Sequence, residues 1–182
     1  MKKLSLLIAI VAFIVTSSAY GQKLVSSKSQ IKFFSTTPAE NIEANNYATV
    51  STLDKETGAV IFSIPMQSFE FEKALMQKHY NSDKFLNTKE FPKAKLKGKI
   101  TNINEIDFTK DGSYNANVEG DLTLKGVTKL ISEKGTVVVK GNKVDVKSKF
   151  DLILADYGIS FVKGKPASNI AKSVEVTVQV EY

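Results

Sequence analysis

The chain has 182 residues and a formal net charge of +6, and all 25 of its basic residues are lysines. Because base edges and phosphates are best recognised by the planar guanidinium of arginine, the absence of arginine argues against a nucleic-acid-binding protein. The sequence also lacks cysteine, which excludes a disulfide framework and a lipoprotein anchor.

The first predicted element is a secretory signal peptide at residues 1–21. Two lysines precede an apolar run from Leu4 to Val15, and small residues stand at the positions before Gln22, where cleavage is expected. The apolar run is shorter than the roughly 20 residues of a membrane-spanning helix, so an uncleaved anchor is the less favoured alternative. We therefore expect a periplasmic or secreted protein with a single domain at residues 22–182.

Most of the remaining chain consists of segments in which polar and apolar residues alternate, as in strands with one buried face. The clearest is KAKLKGKI, which has a lysine at every second position. The same alternation predicts about eight strands, at residues 29–35, 46–53, 58–66, 93–100, 114–124, 134–141, 144–154 and 174–182. Turn residues separate them at short spacing, which indicates an all-β antiparallel sandwich or barrel.

One segment between the third and fourth predicted strands breaks the alternation. Ser68 is the predicted N-cap of a helix in which Phe71, Leu75 and His79 recur at four-residue spacing. Pro92 then directs the chain into an extended conformation. The sequence thus predicts one short helical insertion whose apolar side covers the open end of a barrel.

Alternation does not decide whether the apolar faces interdigitate in a sandwich or surround a space in a barrel of about eight strands. The inward positions mix small residues with aromatic ones, which leaves room inside. For each inward residue, plain core packing is the alternative to ligand contact. The candidate ligand-binding residues on strands and helix are Phe33, Tyr47, Val60, Phe62, Ile64, Phe69, Phe71, Leu75, His79, Phe85, Leu96, Ile100, Val118, Leu122, Val146, Phe150 and Leu154.

Three segments together resemble the YceI-like family: LMQKHYNSDKFLNTKEFPKAKLKG at residues 75–98, GDLTLKGVTKLI at 120–131 and DLILADYGIS at 151–160. The resemblance implies an exported, lipocalin-like β-barrel whose interior holds a polyisoprenoid or another long-chain lipid. Residues 35–50 depart from the family pattern, so no head-group preference is carried over. The alternative function is a cavity-free envelope β domain that acts through its surface or in a stress response.

No catalytic, metal or cofactor site is expected. His79 is the only histidine, and zinc requires three or four protein ligands. It is more simply explained as a residue that orients the end of the helix. The alternating lysines at residues 93–100 are explained by the solvated face of a strand or the protection of a sheet edge, with a transient contact with an anionic membrane surface as the second interpretation.

Overall fold

A computed structural model describes residues 23–36, 40–159 and 171–182. The predicted signal peptide lies outside these ranges. Between them the described ranges contain one α-helix, α1 (Ala74–Asn81), and short 3-10 turns at Met66–Ser68, Ile103–Glu105 and Leu154–Tyr157. The strands are β1 (Lys23–Val25), β2 (Lys28–Thr36), β3 (Asn41–Asn46), β4 (Val50–Asp54), β5 (Ala59–Pro65), β6 (Phe69–Phe71), β7 (Lys93–Ile100), β8 (Gly112–Leu124), β9 (Val127–Lys140), β10 (Lys143–Ile153) and β11 (Ser173–Glu181).

The strands form one curled antiparallel sheet in the order β1-β4-β5-β7-β8-β9-β10-β11-β2-β3-β6. Three long strands near the amino terminus are each interrupted once, as β1–β2, β3–β4 and β5–β6. β1 pairs with β4, and β2 pairs with β3. In turn β4 pairs with β5, and β3 pairs with β6. If each interrupted strand is counted once, the pairings form a ring of eight that β11 closes by pairing with β2. The predicted barrel of about eight strands is confirmed.

The longest hairpin joins β8 to β9 through a tight two-residue turn. Lys125 and Gly126 both have positive φ angles, +49° and +76°, as a type I′ turn requires. The turn lies within GDLTLKGVTKLI, the second of the segments that resemble the YceI-like family. β9 begins at Val127 and not at the predicted residue 134, because residues 127–133 also pair with β8.

The predicted start of the helix is wrong. The helix begins at Ala74, and Ser68 ends a 3-10 turn without capping anything. The reason is that Phe69 and Phe71 belong to β6, where they pair with Asn46 and Ala44 of β3. The sequence Phe-Glu-Phe has the two-residue period of a strand, and sheet pairing decides in favour of that period.

Tyr47 is the one candidate wall residue that the structure places outside the barrel. The predicted strand at residues 46–53 is interrupted after Asn46, whose fully buried side chain donates to the Pro65 carbonyl at 2.7 Å. Its Oδ1 accepts hydrogen bonds from the Ala48 N–H and the Thr49 hydroxyl, both at 3.0 Å. Because Asn46 takes the inward position, Tyr47 turns outward and is 58% exposed.

The lysine-rich segment forms β7 with the predicted alternation, lysines outward and Ala94, Leu96 and Ile100 inward. It is not a sheet edge, since it lies between β5 and β8. Lys97 is opposite Asp121 across the strand pair. The lysines therefore form a solvated face within the sheet, and edge protection does not explain them.

The strands β7 and β8 approach each other unusually closely at one point. Gly98 and Gly120 are opposite each other in register. A Cβ on Gly98 would lie 2.4 Å from the Glu119 carbonyl oxygen, and one on Gly120 would lie 2.5 Å from the Gly98 Cα. Only glycine fits at these two positions without moving backbone.

No helix in the described ranges is long and apolar enough to cross a membrane.

Candidate ligand-binding cavity

The barrel contains a cavity of about 1110 Å³, which is slightly larger than the roughly 300–1,000 Å³ of pockets that hold drug-sized ligands. Its wall is predominantly aliphatic and aromatic. Several inward side chains, such as Phe33, Leu96, Val118 and Phe150, are only half-buried although they line the interior. Phe33, Leu96 and Val118 touch neighbouring side chains and also border open space, so the alternative of a fully interdigitated interior is wrong.

The structure brings sixteen of the seventeen candidate residues together on the cavity wall, and their part in ligand binding stays a prediction. The exception is Tyr47. The sixteen are Phe33, Val60, Phe62, Ile64, Phe69, Phe71, Leu75, His79, Phe85, Leu96, Ile100, Val118, Leu122, Val146, Phe150 and Leu154.

An aromatic cluster packs under α1 at one part of the wall. Tyr80 is stacked on Phe33, with ring centroids 5.9 Å apart and planes 15° apart, and it also contacts Phe69 and Phe71 at 5.7 and 5.0 Å. Tyr80 is the buried residue of the helix, and the sequence analysis missed it. Met76, four residues earlier, also lines the cavity, and this spacing was the signal that could have identified both.

The Tyr80 hydroxyl has no hydrogen-bond partner among the described residues. Burial raises the pKa of this phenol well above its ordinary value, so the hydroxyl stays neutral. A buried polar group without a partner costs about 1–3 kcal/mol relative to solvent. The free energy gained by packing the Tyr80 ring therefore outweighs the cost of burying its unpaired hydroxyl.

We expect Tyr80→Phe to raise the free energy of unfolding by about 1 kcal/mol, since it removes the unpaired hydroxyl and keeps the ring. The matched control is Tyr114→Phe, whose hydroxyl donates to the Lys110 carbonyl at 2.9 Å; this variant should be slightly less stable than the unmodified protein. Urea unfolding of the three proteins measures both effects. A loss of stability in Tyr80→Phe would show that its hydroxyl is paired in solution.

Charged and polar groups gather around α1, and we call this set the polar rim. Lys73 Nζ lies 2.9 Å from Glu40 Oε2, and this hydrogen bond, with the carboxylate charge, raises the pKa of the lysine. His79, Asp83 and Lys84 also border the cavity here. His79 stands in the last turn of the helix, as predicted, and its carbonyl accepts a bond from the Ser82 hydroxyl.

One further acid, Glu133, lies on the strand wall itself. It occupies the inward row of β9 between Ile131 and Gly135, opposite Val118 of β8. Burial raises the pKa of this carboxyl, and the negative charge of Asp151 adds to the effect. The sequence analysis missed Glu133 because the predicted strand began one residue later.

The described ranges contain no group of three or more His, Cys, Asp or Glu side chains that could hold a metal ion. The interior thus offers an apolar wall, a polar rim and one isolated carboxylate. Such an arrangement suits the binding of a long apolar molecule with a polar end.

Comparisons with known proteins agree with this fold. A UPF0312 protein of Shewanella denitrificans (strain OS217) is 29% identical over 119 residues, which are 62% of this chain and 59% of that protein. The chain therefore matches less than two thirds of that relative's length.

Two solved structures share the fold over most of both chains. A polyisoprenoid binding domain from Saccharophagus degradans, implicated in plant cell wall breakdown, superposes with a TM-score of 0.72 at 14% identity, over 87% of this chain and 96% of that one. Burkholderia cenocepacia BcnA gives a TM-score of 0.69 at 16% identity, over 85% and 96%.

The family model of the YceI-like domain matches residues 22–182. The match extends from the residue after the expected cleavage point to the last strand. The chain belongs to the YceI-like family.

Proposed function

We propose that this protein is an exported binding protein that holds an apolar-tailed lipid, a polyisoprenoid or another long-chain amphiphile, inside the barrel. The observation that carries the proposal is the cavity of about 1110 Å³ with its apolar wall. Each methylene group moved from water into such a wall contributes about 0.8 kcal/mol. Affinity for a long chain therefore requires no catalytic group and no cofactor.

The fold shared with a polyisoprenoid binding domain supports the choice of ligand class. The distribution of polar groups supports it as well. Charged side chains border the cavity at the polar rim, while the wall formed by the strands is apolar apart from a few positions. A molecule with one polar end and a long apolar tail matches both parts.

Export to the periplasm or secretion is proposed from residues 1–21, which have the pattern of a signal peptide. The match to the family begins at residue 22, which supports cleavage at that point. A soluble carrier must also approach a bilayer to exchange its lipid. The outer face of β7 suits a transient contact with an anionic membrane, because Lys97 lies opposite Ile61, which is 44% exposed.

Native mass spectrometry of the protein purified from its own host tests the proposed function. We expect a second mass peak in which a lipid of several hundred daltons is bound, and release of that lipid on denaturation. The protein stripped of lipid should take up a fluorescent prenyl probe. A clean unliganded mass together with no uptake of the probe would contradict the proposal.

A further inference from the structure

Glu133 lies just beyond the point where the ladder between β9 and β10 ends. The ladder between β9 and β10 ends at the pair Gly135–Ser148. Beyond it, in the part of the chain that the structure describes, residues 127–134 pair only with β8 and residues 149–153 only with β11. The two strands therefore separate beside Glu133.

Within the described part of the chain, this carboxylate has no hydrogen-bond donor or cation as a partner. Its neighbours on the inward row are Ile131 and Gly135, and Val118 faces it across the strand pair. The Ser148 hydroxyl already donates a hydrogen bond to the Lys134 carbonyl, at 2.7 Å. Among the described residues, no group donates a hydrogen bond to Glu133 and no cation forms an ion pair with it.

A half-buried carboxylate without a partner is unfavourable, because the charge is partly removed from water without compensation. Nothing in the packing of the barrel requires an acid here, since Ile131 and Val137 fill the equivalent positions on either side of the short Glu133–Gly135 segment. A ligand that donates a hydrogen bond would supply the missing partner. A ligand that carries negative charge would be repelled.

We propose that Glu133 binds the hydrogen-bond-donating polar end of the lipid, a hydroxyl or an amine, and that it disfavours a phosphate or carboxylate end. This inference rests on the proposed lipid-binding function. The cavity would then have two polar regions, Glu133 and the polar rim, that prefer different polar ends of a ligand. Of the two, only the polar rim has lysines among its described residues, Lys73 and Lys84.

The test compares a C20 prenyl alcohol with the prenyl phosphate of the same chain, each competing against a fluorescent apolar probe. In Glu133→Gln, the ratio of alcohol affinity to phosphate affinity should fall about tenfold. A charge-assisted hydrogen bond becomes a neutral one and the repulsion of the phosphate is removed, and together these correspond to roughly 1.4 kcal/mol. The shape of the side chain is kept.

The matched control is Glu119→Gln, which removes the same charge from the outer face of β8 next to Val118. Its affinity ratio should equal that of the unmodified protein. Thermal unfolding should show Glu133→Gln to be at least as stable as the unmodified protein. If that variant fails to fold, Glu133→Asp, which retracts the carboxylate by one methylene, should lower the ratio in the same direction.

An unchanged ratio in Glu133→Gln, or an equal change in the control, overturns the assignment of Glu133 while leaving lipid binding in place. Failure of the unmodified protein to take up either prenyl compound overturns both the assignment and the proposed function. The two failures are therefore distinguishable in one set of titrations.

Discussion

Val118→Trp is expected to abolish uptake of a prenyl probe while the barrel stays folded. Val118 lines the cavity from the middle of β8 and lies opposite Ile100 of β7. Because its side chain borders the cavity, an indole ring there fills volume that the bound lipid would occupy. We expect affinity for the probe to fall roughly tenfold or more, a loss of at least about 1.4 kcal/mol. Fluorescence titration measures the affinity, and circular dichroism checks the fold.

The control places the same ring on the other face of the strand. Glu119→Trp adds an indole at the next residue, which is exposed, and should bind the probe as the unmodified protein does. If Val118→Trp still takes up the probe with unchanged affinity, the lipid does not occupy the space beside Val118. The assignment of this part of the wall to lipid binding would then be wrong.

Gly98→Ala should lower the free energy of unfolding by about 3 kcal/mol, at the upper end of the usual cost of overpacking. The added methyl group would lie 2.4 Å from the Glu119 carbonyl oxygen and 2.9 Å from the Gly120 Cα. Both contacts are with backbone, so relief requires the two strands to move apart. For a domain of this size the melting temperature should fall by roughly 6–12 °C. Thermal and urea unfolding measure the two quantities.

Gly112→Ala is the matched control for this prediction. Gly112 is the first residue of β8, and the three atoms nearest to a Cβ there, the closest at 3.2 Å, all belong to the side chain of Tyr114. A side chain can shift where backbone cannot, so this variant should lose less than about 1 kcal/mol. Equal losses in the two variants would show that the close approach of β7 and β8 is not what limits Gly98.

The barrel could be predicted from the sequence because its signal is local. In β7, a lysine at every second residue fixes which side faces water, and the partner strands do not alter that choice. The same holds for β8, where the predicted inward residues Val118 and Leu122 line the cavity. Alternating polar and apolar residues assign each side chain of a strand to one face, whichever strands lie beside it. Most of the cavity wall could therefore be predicted from this alternation.

The errors arose where a distant contact decides the local structure. Tyr47 was predicted to face inward as part of an uninterrupted strand at residues 46–53. The Asn46 side chain is instead held by the carbonyl of Pro65, nineteen residues further along the chain, and the strand is interrupted there. The start of the helix was misplaced for the same kind of reason, since Phe69 and Phe71 gain strand partners from β3.

The features of the site that were missed depend on register. Glu133 faces the cavity only because Val118 is opposite it in the β8–β9 hairpin. Tyr80 is buried against the rings of Phe33, Phe69 and Phe71, which lie on two strands. The spacing of Met76 and Tyr80 could have indicated the inward face of the helix, but the partners of Tyr80 and Glu133 are fixed only when the strands pair.

The pairing of β2 with β11 determines when, during synthesis of the chain, the barrel can close. The Ser27 N–H bonds to the carbonyl of Glu181, 154 residues away, so the barrel can be completed only after its last strand has been synthesised. Folds dominated by such long-range pairings form slowly. Before β11 is in place the interior of the barrel is not closed, so the lipid binding proposed above requires that β11 has already been synthesised.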